Sequence, residues 1–194
     1  MAMKMKHTHW IGLGITLAAL ICLSYLLAAL LGKYANLDIT QYDIAWLVYL
    51  AIFGISLVSN LTIVAPVPFA LAIMVAASTK WNPAIIGLMG AAGGAIGELS
   101  GYYAGALGRK IAISENIPGY HRIHHWIQKY GMWAIFLFAL QPVIPFDVGG
   151  LVAGATKMPL GKFLPANFAG KLIKYLVIVY GGAMLLKSFP GFPQ

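Results

Sequence analysis

Cysteine is almost missing from this chain, and charge is scarce. A single cysteine, Cys22, excludes an internal disulfide. Lying in an uncharged run, it reads as a small core or lipid-facing residue. Charged residues make up 9% of the 194 positions, where soluble domains carry about 25%. Acidic residues are the scarcer sign, 5 against 13 Lys and Arg. With 60% hydrophobic residues and a mean hydropathy of +0.81, a water-soluble fold is excluded. The composition points to one all-α polytopic membrane domain over 1–194. A net charge of +8 would suggest nucleic acid in a soluble protein. Here the cations punctuate apolar runs and sit mostly in loops, so anionic lipid headgroups are the expected partner.

Catalytic signatures are missing too. There is no G-x-S-x-G, P-loop, H-E-x-x-H or dinucleotide fingerprint. No nucleophile–base pair stands out, so neither an enzyme nor a cofactor is expected. His121, His124 and His125 have helical spacing, but only Glu115, beyond a Pro-Gly break, accompanies them. A wet helix at the membrane surface suits them better than a metal site.

What the chain does have is long apolar runs. Trp10 to Leu31 is uncharged for 22 residues, enough for a hydrocarbon core that needs about 20. A retained transmembrane helix is preferred there to a secretory signal. A polar loop is expected over 32–43, and 1–43 forms an N-terminal helix and loop. Ile44 to Thr79 is uncharged for 36 residues, and Pro66 and Pro68 interrupt it. Proline removes a backbone donor and opposes helix before it, so the run divides near 64–69. The remainder, Phe69 to Thr79, is 11 residues, about 16 Å as helix. Too short to cross, it reads as a re-entrant hairpin.

Pro83 to Gly108 is apolar with one charge, Glu98. Gly93, Gly97, Gly101 and Gly105 form a stripe that lets another backbone approach. It serves internal packing or a homo-oligomer equally. Residues 109–131 form a polar linker, where Tyr120, Ile123, Trp126, Ile127 and Tyr130 share one face of an interfacial helix. Residues 132–187 restart apolar, are broken by Pro142 and Pro145, and end in a candidate span from Leu160 to Leu186. Orientation stays open: Lys4, Lys6 and the basic 109–130 segment all favour the cytoplasm. Whether 44–64 crosses fully decides if both can lie there.

Shifting the chain by 77 positions aligns Pro68-Phe69 with Pro145-Phe146, Val75-Ala76 with Val152-Ala153, and Thr79-Lys80 with Thr156-Lys157. Gly93 falls on Gly170. Such self-similarity marks a duplicated unit, here 44–108 and 132–187. Paired broken segments are the sequence pointer to a transporter's binding site. The expected architecture is a pseudo-twofold inverted repeat with two re-entrant hairpins.

Four charges lie inside apolar segments: Glu98, Asp147, Lys171 and Lys174. Facing lipid they would together cost roughly 10 kcal/mol, so they must face one another, a cavity or backbone dipoles. The 77-residue register places Gly97 on Lys174 and Glu98 on Tyr175. Glu98 and Lys174 are therefore expected to face each other. Asp147 reads equally as a proton-exchanging carboxylate and as a turn or cap residue. Gln141 adds donor and acceptor beside the second break, and Arg109 suits the C-terminal end of the glycine-striped helix.

At these residues the chain resembles the DedA / VTT family, also called SNARE-associated Golgi proteins. The resemblance covers roughly 60–185. It rests on Pro66-Val67-Pro68, on Gly97-Glu98-Leu99-Ser100-Gly101-Tyr102-Tyr103 with Gly108-Arg109, and on Pro142-Val143-Ile144-Pro145-Phe146-Asp147 leading to Ala153-Gly154 and Met158. The last block, with Phe163 downstream, is the most specific. The resemblance implies inverted repeats, two re-entrant hairpins and lipid movement between leaflets. It also implies that Glu98 matches the family's acidic residue after the helix glycine, and Arg109 the basic residue ending that helix. Two departures stand out: Gln141 where bacterial members usually have Arg, and Ala70 where they often have Glu.

The resulting expectation is a multi-pass protein of the cell membrane. It translocates a lipid with an anionic headgroup, a polyprenyl phosphate or phospholipid, with Glu98 and Asp147 gating or coupling protons. The alternatives are a transporter of a small soluble ion or solute, and a non-transporting scaffold.

Overall fold

The computed structural model describes residues 22, 25–26, 41–61, 67–108, 120–141 and 147–189. Most of the expected first helix, Arg109, Pro66, Pro142 and Pro145 lie outside the described residues. All regular structure among the described residues is helical.

α1 spans Gln41–Leu61, so it begins inside the stretch expected as a loop over 32–43. α2 spans Val67–Ala77. Pro68 is its second residue, where a missing N–H costs nothing because the first turn's donors have no intrahelical partner. α3 spans Pro83–Gly97 and α4 Leu99–Gly108. Asn82 caps α3 by accepting the Ala84 N–H at 2.9 Å, with Pro83 at the first helical position. The ladder runs on through Glu98, whose N–H reaches Gly94 O at 3.2 Å while Tyr102 N–H reaches Glu98 O at 3.1 Å.

α5 spans Tyr120–Tyr130 and α6 Met132–Leu140. Gly131 separates them at φ 55°, a conformation that side chains oppose. α7 spans Asp147–Ala155 and α8 Leu160–Lys187. Lys157 closes α7 at φ 58°. Its N–H bonds to Gly154 O and that of Met158 to Ala153 O, both at 3.1 Å, the hydrogen-bond pair of a Schellman ending.

Pro83–Leu107, 25 residues, and Leu160–Lys187, 28 residues, are long and apolar enough to cross a membrane. At 1.5 Å per residue they reach about 37 and 42 Å. α2 and α7, with 11 and 9 residues, reach only about 16 and 14 Å. The outer surface carries large apolar side chains, among them Trp46, Leu50, Leu107, Trp133, Val177 and Met184. The interior is rich in Ala70, Ala72, Ala91, Ala134 and Ala153, all nearly inaccessible. Small residues inside and large ones outside are what close helix packing in an apolar solvent favours.

The sequence offset of 77 reappears in the helices. α3 begins at Pro83 and α8 at Leu160. Thr79 Oγ1 donates to Ala76 O at 2.7 Å, and Thr156 Oγ1 to Ala153 O at 3.0 Å. α3 lies against α1 and α8, and α8 also against α6. Each short helix packs on the C-terminal half of a long apolar helix, α2 on α8 and α7 on α4. Glycines make that packing possible. A Cβ at Gly105 would run into the Leu151 carbonyl, and one at Gly182, 77 positions on, would stand 2.6 Å from Val75 Cγ1.

The linker helix α5 is amphipathic as expected, but its apolar face is only partly covered. Ile127 is buried, while Trp126 and Tyr130 remain 42% and 46% exposed. Trp126 rests against Phe138 of α6, ring centroids 6.1 Å apart.

Candidate functional site

Three helices bring polar residues to one seam, each at four-residue spacing, so that each set lies on one helix face. α1 contributes Ser56 and Asn60, α3 leads through Gly90 and Gly94 to Glu98, and α8 contributes Asn167 and Lys171. Lys171 Nζ stands 3.0 Å from Glu98 Oε1, with the two side chains 1% and 2% exposed. Lys171 Nζ also donates to Asn60 Oδ1. Asn60 Nδ2 donates to Ser56 O at 2.7 Å, and Ser56 Oγ to Gly90 O at 2.7 Å. The ion pair is thus anchored through α1 to the backbone of the helix that carries Glu98.

Glycine makes the seam possible. A Cβ on Gly94 would stand 3.3 Å from both Lys171 Cδ and Asn60 Nδ2, so its absence admits the lysine stem. A Cβ on Gly97 would strike Leu57 O, and one on Gly93 would strike Phe53 O. On the other side Gly150 of α7 leaves room beside Glu98 Oε2, 3.4 Å from where its Cβ would lie. Three of the four glycines in the predicted stripe (Gly93, Gly97 and Gly105) therefore serve contacts within the chain, and Gly101 is half-buried.

The expected partnership of Glu98 with Lys174 is corrected: Lys171 takes that place. The register gives the reason. Gly94 and Lys171 are 77 positions apart and touch, so the one-sided lysine fills the space its glycine counterpart leaves. Lys174 lies one turn further, half-buried, with Nζ 5.3 Å from the Tyr175 ring centroid. It remains within electrostatic reach of both Lys171 and Glu98. Among these three described side chains two are cationic and one anionic, a surplus of one positive charge.

The other predicted residues lie elsewhere or outside view. Gln141 ends α6, where its Nε2 donates to Phe138 O at 3.3 Å. Asp147 is the first residue of α7, and its side chain lies outside the described residues. His124 is half-buried and His125 exposed, and no group of metal-ligating side chains occurs among the described residues. Sequence reasoning missed Ser56, Asn60 and Asn167. The signal was uncharged polar residues at i, i+4 spacing inside apolar runs, which a search for charges passes over.

A family model of the VTT domain matches residues 67–184, from the start of α2 to near the end of α8. Neither a curated protein nor a solved structure matches the chain. The matched segment is more than half of the chain and contains Glu98, Lys171 and Lys174. The chain therefore belongs to the VTT-domain family, that of the DedA and SNARE-associated Golgi proteins, as a membrane protein of the DedA type.

Proposed function

We propose that this chain is a multi-pass protein of the cell membrane that moves a lipid with an anionic headgroup between leaflets. The observation that carries the reading is the buried Lys171–Glu98–Asn60 cluster, with Lys174 beside it, between helices with an apolar exterior. Charge at that depth is expensive and marks a substrate or ion pathway.

The architecture supports the same reading. Contacts pair Tyr102 with Phe163, Gly94 with Lys171 and Gly87 with Leu176, so the long helices run antiparallel. Antiparallel long helices in a 77-residue register, each taking the other unit's short helix, are what a pseudo-twofold inverted repeat requires. In that arrangement α2 and α7 are the inner halves of two re-entrant hairpins. The excess cation at the seam receives the headgroup, and the N-terminal end of α7 adds its partial positive charge. Glu98 exchanges protons as the pair opens, and Asp147 at the head of α7 is the second acid of the gate.

The test is reconstitution of purified protein in vesicles with a fluorescent lipid phosphate and a zwitterionic analogue. Acceleration of the phosphate lipid over protein-free vesicles, with Lys174→Gln slower, is expected. Equal rates with and without protein would end the reading. Equal acceleration of both lipids would remove the anionic preference.

A further inference from the structure

Asn167 is fully buried, and among the described residues neither its Nδ2 nor its Oδ1 has a hydrogen-bond partner. A carboxamide brings two donors and a two-lone-pair acceptor. Leaving both ends dry is rare, and the usual resolution is an ordered water.

The position of this amide is fixed by its neighbours. On α8, Phe163, Asn167, Lys171 and Tyr175 follow at four-residue spacing and all are buried, forming one stripe. Phe163 meets Tyr102 with ring centroids 4.9 Å apart, and Lys171 meets Glu98 at 3.0 Å. Glu98 and Tyr102 are themselves one helical turn apart. Asn167 therefore lies between these two contacts, opposite the turn from Glu98 to Tyr102. On that turn rests Gly150 of α7, buried, where a Cβ would stand 3.4 Å from Glu98 Oε2 and 3.6 Å from Tyr102 N.

We propose that Asn167 holds water against the Lys171–Glu98 pair. Its Nδ2 donates to the water oxygen, and the water donates onward to the Glu98 carboxylate. A second water hydrogen, or a second water, satisfies Oδ1. Hydration of this kind lowers the cost of separating the two buried charges, which a dry seam would hold together. The assignment rests on burial and geometry alone and stands apart from the identity of any transported lipid.

The test is a stability cycle in lipid-free detergent, where no lipid headgroup is present. Asn167→Leu is measured in the native background and in Glu98→Gln/Lys171→Met, which removes both ions of the pair. The expected result is a Tm lowered by about 3 °C or more in the first and raised in the second. A rise in both backgrounds would mean a dry amide, and an equal fall in both would mean a packing role independent of the pair. Either overturns the proposal. A fall that appears only after lipid is added would assign the amide to a headgroup, and the water site would be lost. If Asn167→Leu does not fold, Asn167→Ala in the same two backgrounds reads the same coupling.

Discussion

Lys171 and Glu98 meet at 3.0 Å across 73 positions of sequence, at a point where Lys171 also touches its own register partner, Gly94. α8 supplies the cation, and α3 supplies the space for it. This pairing of a lysine with a glycine 77 positions away is the feature most open to experiment.

Removing one member of the pair leaves an uncompensated buried charge. Glu98→Gln and Lys171→Met are each expected to destabilise the protein by about 3–5 kcal/mol, with Glu98→Gln/Lys171→Met recovering most of that loss. Chemical unfolding of the three variants in detergent checks this. An additive loss in the double variant would show that the two residues do not stabilise each other.

The close helix approach predicts a sharp split among glycines. A Cβ at Gly105 or Gly154 would meet the Leu151 or Tyr102 carbonyl, whereas Gly161 and Gly181 have nothing within 4 Å. Gly105→Ala and Gly154→Ala are expected to lose about 1–3 kcal/mol through overpacking. Gly161→Ala and Gly181→Ala are expected to gain about 0.5–1 kcal/mol, because alanine loses less backbone entropy in a helix. Thermal unfolding of the four variants separates the two groups.

Two positions with positive φ predict changes of opposite sign. Gly131 at φ 55° joins α5 to α6, and Gly131→Ala is expected to cost about 1–2 kcal/mol despite open space around it. Lys157 at φ 58° has a side chain where glycine is preferred, and Lys157→Gly is expected to gain about 1 kcal/mol. Tm shifts of the two purified variants provide the check.

Among the described side chains, Lys174 contributes the surplus positive charge of the seam without being locked in the pair. Lys174→Gln is expected to slow translocation of an anionic lipid about five-fold, roughly the 1 kcal/mol of one cation near an anionic headgroup. Lys174→Arg is expected to keep most of the rate. Unfolding midpoints close to the native value in both variants would tie the change to transport, and unchanged vesicle rates would remove Lys174 from the pathway.

Much was legible in the sequence because lipid permits few solutions. Scarce charge and long uncharged runs imposed a helical membrane protein. The prolines placed a new helix close to the observed start of α2 at Val67, and the 77-residue identities anticipated the matched starts of α3 and α8. The glycine spacing announced close helix contact. Which lysine meets Glu98 was not legible. Lys171 and Lys174 lie on neighbouring faces of one helix, and the choice depends on Gly94 lacking a side chain on another. Asn60 and Asn167 were silent for the same reason, since an uncharged amide in an apolar run becomes informative only when its neighbours across the seam are known. The chain by itself determined what kind of solvent it needs and where α3 and α8 begin, because those follow from transfer energies and backbone chemistry read locally. Tertiary structure alone decided which buried groups pair, because pairing depends on the crossing of helices 34 to 111 positions apart.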